Sequence, residues 1–281
     1  MRLLRVGDPG AEIPAVLDDA GGVFDLRPVT GEINGDFLAG GGVARVRDAL
    51  AGLPELDVTG MRIGAPVARP GALVCIGLNY SDHAAETSAE PPAEPVVFMK
   101  NTNTVIGPND TVLVPRGSVK TDYEVELAVV LGATARYLES PQDAAAVIAG
   151  YAISNDVSER EFQLERGGQW TKGKSCETFN PLGPWLVTAD EVGDPQALGL
   201  KLSVNGELRQ DGNTKNMLFG VHHVIWYLSQ FMVLEPGDVV NTGTPAGVAL
   251  GVNDFEYLRS GDTIDVSIDR LGVQRQQVGQ A

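Results

Sequence analysis

The stretch TDYEVELAVV, residues 121–130, decides how this chain is read. Its valines and leucine predict a strand, yet it carries Glu124 and Glu126 where a strand would ordinarily carry valine or threonine. Successive side chains in a strand point to opposite faces, so residues two apart share a face at about 7 Å. Glu124 and Glu126 therefore look one way, while Val125, Leu127, Val129 and Leu131 look the other way, toward a core. Two carboxylates so placed repel by roughly 2 kcal/mol at an effective dielectric of about 20. Either solvent screens them on the outer face of an antiparallel strand, or a cation offsets the repulsion.

Other segments bear on that choice. GYAISNDVSER (150–160) ends an apolar strand in Ser154, Asn155 and Asp156. A strand-terminal aspartate is a common turn former, but read with the two glutamates it becomes a third oxygen ligand. Three carboxylates without nearby His or Cys ligands favour a hard cation, Mg²⁺ or Mn²⁺, over Zn²⁺. GLNYSDHAAE (77–86) sets His83 and Glu86 three apart on one helical face, with Ser81 placed to cap the helix. A carboxylate beside an imidazole fixes its tautomer and raises its basicity, as a general base acting on water requires. The segment between Gly77 and PPAEP (91–95) reads as a lid.

The remaining histidines, His222 and His223, are adjacent in a helical pattern, where one is expected to face the core and one the solvent. QWTKGKSCETFNPLGPW (169–185) places Lys172 and Lys174 around a glycine and leads into an apolar strand. A lysine beside a metal can hold an enolate oxygen or a carboxylate. NTGTPAGV (241–248) is a strand followed by a loop able to offer backbone N–H groups and the Thr244 hydroxyl to an anion.

Composition narrows the function classes. The 281 residues suffice for one large domain, or a large and a small one. Apolar content of 43% and a mean hydropathy of −0.02 describe a soluble, globular chain. With 37 acidic against 21 basic residues, phosphate backbones and anionic membranes would repel it, so neither nucleic acid nor membrane is an expected partner. There is no signal-like apolar region at the N-terminus and no run of about 18 apolar residues. A cytoplasmic protein is expected. Cys75 and Cys176 are too few for a disulfide framework and read as buried small apolar residues.

Residues 1–66 alternate short apolar runs with Gly, Asp and Pro turns and include one short helix in RDALAGL, a small β-rich N-terminal domain. The Gly- and Pro-rich MRIGAPVARPG marks the boundary, and 67–281 forms the catalytic domain. Strands are expected at 96–100, 111–115, 123–132, 150–156, 182–188, 200–206, 238–244 and 262–269. Helical periodicity is clear only over 141–151 and 216–232. Many strands with few helices predict a β-rich α+β fold.

Taken together, GLNYSDHAAE, DYEVELAVVLG, GYAISNDVSER, GKSCETFNPLGPWLVT and LEPGDVVNTGTPAGV resemble the fumarylacetoacetate hydrolase family, in family order over about residues 70 to 250. The resemblance implies a mixed β-sandwich roll, a small extra N-terminal domain as in many bacterial members, and a homodimer. It implies Mg²⁺ or Mn²⁺ on Glu124, Glu126 and Asp156, the His83 and Glu86 dyad of acylpyruvase-like members, and a functional Lys174. This chain reads GKSCETF where many members read GKSFDTF, a change that reshapes the pocket beside Lys174.

Residues and resemblance converge on a small 2-oxo acid as substrate: hydrolysis of a 2,4-dioxo acid, an acylpyruvate, fumarylpyruvate or 2,4-diketo-3-deoxy sugar acid, to pyruvate and a second acid. Gln163, Thr244 and Gly243 are the expected substrate contacts. Oxaloacetate decarboxylation, isomerisation of 2-hydroxyhepta-2,4-diene-1,7-dioate and ureidoglycolate lysis use related sites and remain alternatives. Activated water favours hydrolysis.

Overall fold

The computed structural model describes residues 1–86, 90–252 and 254–281. Val125–Leu131 is a central strand, paired antiparallel to Ile148–Asn155 on one side and to Val239–Asn241 on the other. Every residue of it is buried. The large sheet runs Val23–Asp25, Ile13–Leu17, Arg2–Val6, Asn180–Thr188, Ile148–Asn155, Val125–Leu131, Val239–Asn241, Leu73–Gly77, Val96–Lys100. Arg2–Val6 pairs with Asn180–Thr188, so the N-terminal strands continue this sheet. A second sheet runs Glu207–Asn213, Gly199–Val204, Thr263–Ile268, Gly272–Gln280, Val112–Val114.

The period-two alternation sorts the central strand between two cores. Val125, Leu127, Val129 and Leu131 pack with Leu200, Leu202, Ile264 and Val266 of the second sheet. Ala128 and Val130 pack on the opposite side with Leu73, Cys75, Phe98 and the N-terminal Leu3, Val16 and Phe37. Glu124 and Glu126 share the parity of Ala128, so they enter this second layer from its end. The fold is a β-rich α+β architecture, as the strand count predicts. Among the described residues no helix is long and apolar enough to cross a membrane.

Three local readings change. The helix expected over 141–151 is a 3₁₀ turn, Pro141–Ala146, started by Pro141 and a Ser140/Asp143 capping box; from Ile148 the chain pairs as a strand. The helix expected over 216–232 is confined to Val221–Ser229, because the Leu218 and Phe219 amides donate to the backbone and side chain of Asn79. Three longer strands, Glu207–Asn213, Gly272–Gln280 and Leu73–Gly77, lie outside the expected set. The first follows an Asn205-Gly206 turn with positive φ at both residues, a hairpin signal present in the sequence. The second turns Gln274 and Gln276 inward, where their amides bond to the backbone carbonyls of Ile153, Gly183 and Pro108; no apolar alternation announces it.

Candidate active site

Strand register assembles the acidic cluster. Val125 faces Asn155 and Glu126 faces Ser154, so Asp156, one residue beyond, lies across from Glu124 and donates its amide to the Glu124 carbonyl at 2.9 Å. Glu124, Glu126 and Asp156 are 4%, 1% and 0% exposed. They are not on a solvated outer face. Each offers a carboxylate oxygen within 4.8 Å of the others, and among the described residues this is the one such group of three or more His, Cys, Asp or Glu.

The cations around them are asymmetric. Lys174 Nζ donates to Glu124 Oε2 at 2.7 Å and to Asp156 Oδ2 at 2.8 Å. Lys100 Nζ takes the other oxygen of Asp156 and is held by the carbonyls of Val157 and Phe179. Arg160 lies 2.7 Å from Glu124 Oε1, donates to Asp122 at 2.8 Å, and reaches Gln163 Oε1 at 3.0 Å. Burial alone would raise the Glu124 carboxyl, but Lys174 and Arg160 outweigh it and bring it down to about 2. Burial followed by the Asp156 and Glu124 charges pushes Glu126 well above the ordinary range. Burial opposes the Lys174 charge, yet Asp156 and Glu124 raise its pKa above the usual value. Glu126 accepts from the Gly243 amide at 2.7 Å, and no lysine or arginine within ion-pair distance of it is found among the described residues. Three convergent buried carboxylates, one of them lacking a cation of its own, fit a divalent metal.

Lys100 and Arg160 escaped the sequence reading. Lys100 shares the inward parity of Phe98 in the strand Val96–Lys100, which is itself a signal: a lysine in a core-facing position needs a buried partner. Arg160 closes the very segment that supplies Asp156. Lys174, 2% exposed, is brought in by a one-turn helix, Thr171–Lys174, whose Gly173 packs so closely that a Cβ there would lie 2.4 Å from the Glu159 carbonyl. Lys172, by contrast, is exposed and bonds to the Arg166 carbonyl. Cys176 is only half-buried, unlike Cys75.

His83 and Glu86 stand on the helix Ser81–Glu86, with Nδ1 3.9 Å from Glu86 Oε2. That oxygen also accepts from the Gly247 amide at 2.7 Å, which ties this helix to the loop after Val239–Asn241. The Ser81 hydroxyl donates to the Asn216 carbonyl. Thr87, Ser88 and Ala89 of the expected lid lie outside the described residues. His222 and His223 are both half-buried instead of split between core and solvent, and His223 stacks on Phe219 at 5.4 Å.

A cavity of about 190 Å³ joins these parts, lined by His83, Glu124, Glu126, Arg160, Gln163, Lys174 and Thr244 on its polar side. Gln163 sits in a wide turn of π-type spacing, Glu161–Glu165, directly after the segment that carries Asp156. The Thr244 hydroxyl is engaged with the Val125 carbonyl and the Gln210 amide, and the Gly243 amide with Glu126, so this loop supports the acidic strand.

The family model for the fumarylacetoacetate (FAA) hydrolase C-terminal region matches residues 72–279. A protein of Burkholderia multivorans named "Putative hydrolase" is 50% identical over 277 residues, 98% of each chain. The crystal structure of maleylpyruvate hydrolase from Sphingobium sp. SYK-6, in complex with manganese(II) ion and pyruvate, is similar with a TM-score of 0.82 and 29% identity over 100% of both chains. The structure of 2-hydroxyhepta-2,4-diene-1,7-dioate isomerase from Mycobacterium marinum is similar with a TM-score of 0.77 and 30% identity, covering 100% of this chain and 98% of that one. With its fold, its buried acidic cluster and a family match across most of its length, the chain belongs to the fumarylacetoacetate hydrolase family.

Proposed function

We propose that the protein is a divalent-metal-dependent hydrolase that cleaves the C3–C4 bond of a 2,4-dioxo acid to pyruvate and a second carboxylic acid. The observation that carries this reading is that His83 lines the same cavity as Glu124, Glu126 and Lys174. Mg²⁺ or Mn²⁺ held by Glu124, Glu126 and Asp156 would supply a Lewis acid for the carboxylate and 2-oxo oxygens. The Mn²⁺ and pyruvate of the Sphingobium enzyme support that assignment.

The chain's own groups do the rest. Gln163 positions the acid head, while Gly243 and Thr244, engaged with Glu126 and the Val125 carbonyl, hold the acidic strand that forms its floor. His83, with Glu86 behind it, takes a proton from water, and the oxygen of that water bonds to C4. The C3–C4 bond breaks, its electron pair passes to the pyruvate fragment as an enolate, and a proton at C3 completes pyruvate. The ammonium of Lys174 stabilises the developing charge, an effect worth roughly 3–4 kcal/mol for a well-placed donor. A cytoplasmic homodimer, with residues 1–66 as a small N-terminal domain beside the catalytic 67–281, completes the reading.

The isomerase relative favours a second reading, in which the same site moves a proton without consuming water. A panel of 2,4-dioxo acids assayed for pyruvate with Mg²⁺, Mn²⁺ or EDTA in ¹⁸O-water separates the two. Hydrolysis places one ¹⁸O in the second acid and stops with EDTA. Isomerisation of a dienedioate without pyruvate release from any 2,4-dioxo acid would sink the hydrolase reading.

A further inference from the structure

The apolar lining of the cavity differs in character from its acidic floor. Ile76, Leu78, Phe98, Leu164, Trp170 and Leu250 form it. Phe98 and Trp170 meet edge to face with centroids 5.3 Å apart, and the Lys174 ammonium lies 4.9 Å above the Phe98 ring. This ring pair is where the charged floor gives way to the apolar wall. Trp170 is seated over Gly77, where a Cβ would come within 2.6 Å of the indole. Leu164 and Leu250, 44% and 39% exposed, form the mouth.

Among the described residues that line the cavity, no lysine or arginine is left for a charge at the far end of a substrate. The two lining cations, Arg160 and Lys174, are both bound to carboxylates of the floor. Other cations on the segment around Leu164, or bound to it, already have partners. Arg166 pairs with Glu161 and stacks on Phe162, Lys120 pairs with Glu165, and Lys172 bonds to the Arg166 carbonyl. A second carboxylate in the tail would therefore lose water against leucine and aromatic carbon with nothing to repay it.

Resting on the 2-oxo acid reading above, we propose that this protein selects substrates whose acyl tail is apolar and uncharged, with Phe98, Trp170, Leu164 and Leu250 as the specificity wall, and rejects dicarboxylates of equal length. The cavity volume of about 190 Å³ limits that tail to a short alkyl or a compact ring.

Binding to the intact Mn²⁺-loaded protein, measured by calorimetry, tests this without turnover. Pyruvate, 2-oxobutanoate, 2-oxopentanoate and 2-oxohexanoate should bind about fourfold more tightly per added methylene. 2-Oxoadipate, the six-carbon dicarboxylate, should bind at least about tenfold more weakly than 2-oxohexanoate. Tail binding should also change tryptophan emission, and Trp170→Phe should abolish that change. Leu164→Arg should shift the ratio toward 2-oxoadipate by about tenfold; if that variant does not fold, Leu250→Lys places a cation across the mouth for the same comparison. Pyruvate binding with equal affinity for the two six-carbon acids, or with 2-oxoadipate tighter, overturns the tail assignment alone. Failure of pyruvate itself to bind overturns the 2-oxo acid reading and the tail assignment with it.

Discussion

Glu86 Oε2 accepts a hydrogen bond from the Gly247 amide at 2.7 Å while facing His83 Nδ1 at 3.9 Å, so one carboxylate docks a helix and sets the field on an imidazole. The two roles separate by mutation. Glu86→Gln keeps an acceptor for Gly247 and removes the charge; its melting temperature should stay near that of the parent while kcat falls. His83→Ala should lose about a hundredfold or more of kcat. Gly251→Ala should mimic Glu86→Gln without touching the charge, since a Cβ there would lie 2.3 Å from Glu86 Oε1 and displace it. Parental kcat in Gly251→Ala would argue that Glu86 has no part in the reaction.

Lys100 is a structural counter-charge. Both Asp156 oxygens are bound by lysines, and Lys100 additionally satisfies the Val157 and Phe179 carbonyls in full burial. Lys100→Met leaves a buried carboxylate and two carbonyls short of a donor, a loss of roughly 3–5 kcal/mol in metal-free protein. Urea denaturation measures it. A change under about 1 kcal/mol would mean that Asp156 is satisfied without Lys100.

Gly243 has φ of +96°, and a Cβ there would approach the Asn79 Cβ to 2.8 Å. Its amide is the donor to Glu126. Gly243→Ala should cost about 1–3 kcal/mol through backbone strain. It should also weaken Mn²⁺ binding as the amide moves, which calorimetric titration would detect. Unchanged Mn²⁺ affinity would separate the loop from the acidic cluster.

Burial pushes the Cys176 thiol up to about 11, with Glu159 adding to the shift. Burial disfavours the thiolate, so the reactive form at neutral pH is scarcer than in an exposed cysteine. Alkylation of Cys176 by iodoacetamide, followed by mass spectrometry, should rise about tenfold per pH unit up to pH about 10 and not level off near the ordinary thiol value of about 8.5. A plateau below pH 9 would contradict this environment.

Much of this molecule is legible in its residues. Alternation in YEVELAVVLG announces a strand with one face in the core, and the structure adds that its other face is buried too, so the glutamates cannot be an ordinary solvated pair. The segments carrying His83, Asp156 and Lys174 were legible as motifs because residue types at fixed spacing constrain chemistry locally. The strand Gly272–Gln280 was not legible, because its inward glutamines find their partners on distant carbonyls that no local pattern reveals.

The sequence by itself determined the central strand, the acidic pair on one of its faces and His83, Asp156 and Lys174 as candidate groups of the site, because side-chain periodicity follows from backbone geometry alone. Only the tertiary structure decided the rest. Antiparallel register brought Asp156 across from Glu124; the inward end of Val96–Lys100 delivered Lys100 to Asp156; and three separate segments brought Phe98, Trp170 and Leu250 to the same cavity as the carboxylates. These are relations between residues far apart in the chain, set by packing and pairing energies that no single segment carries.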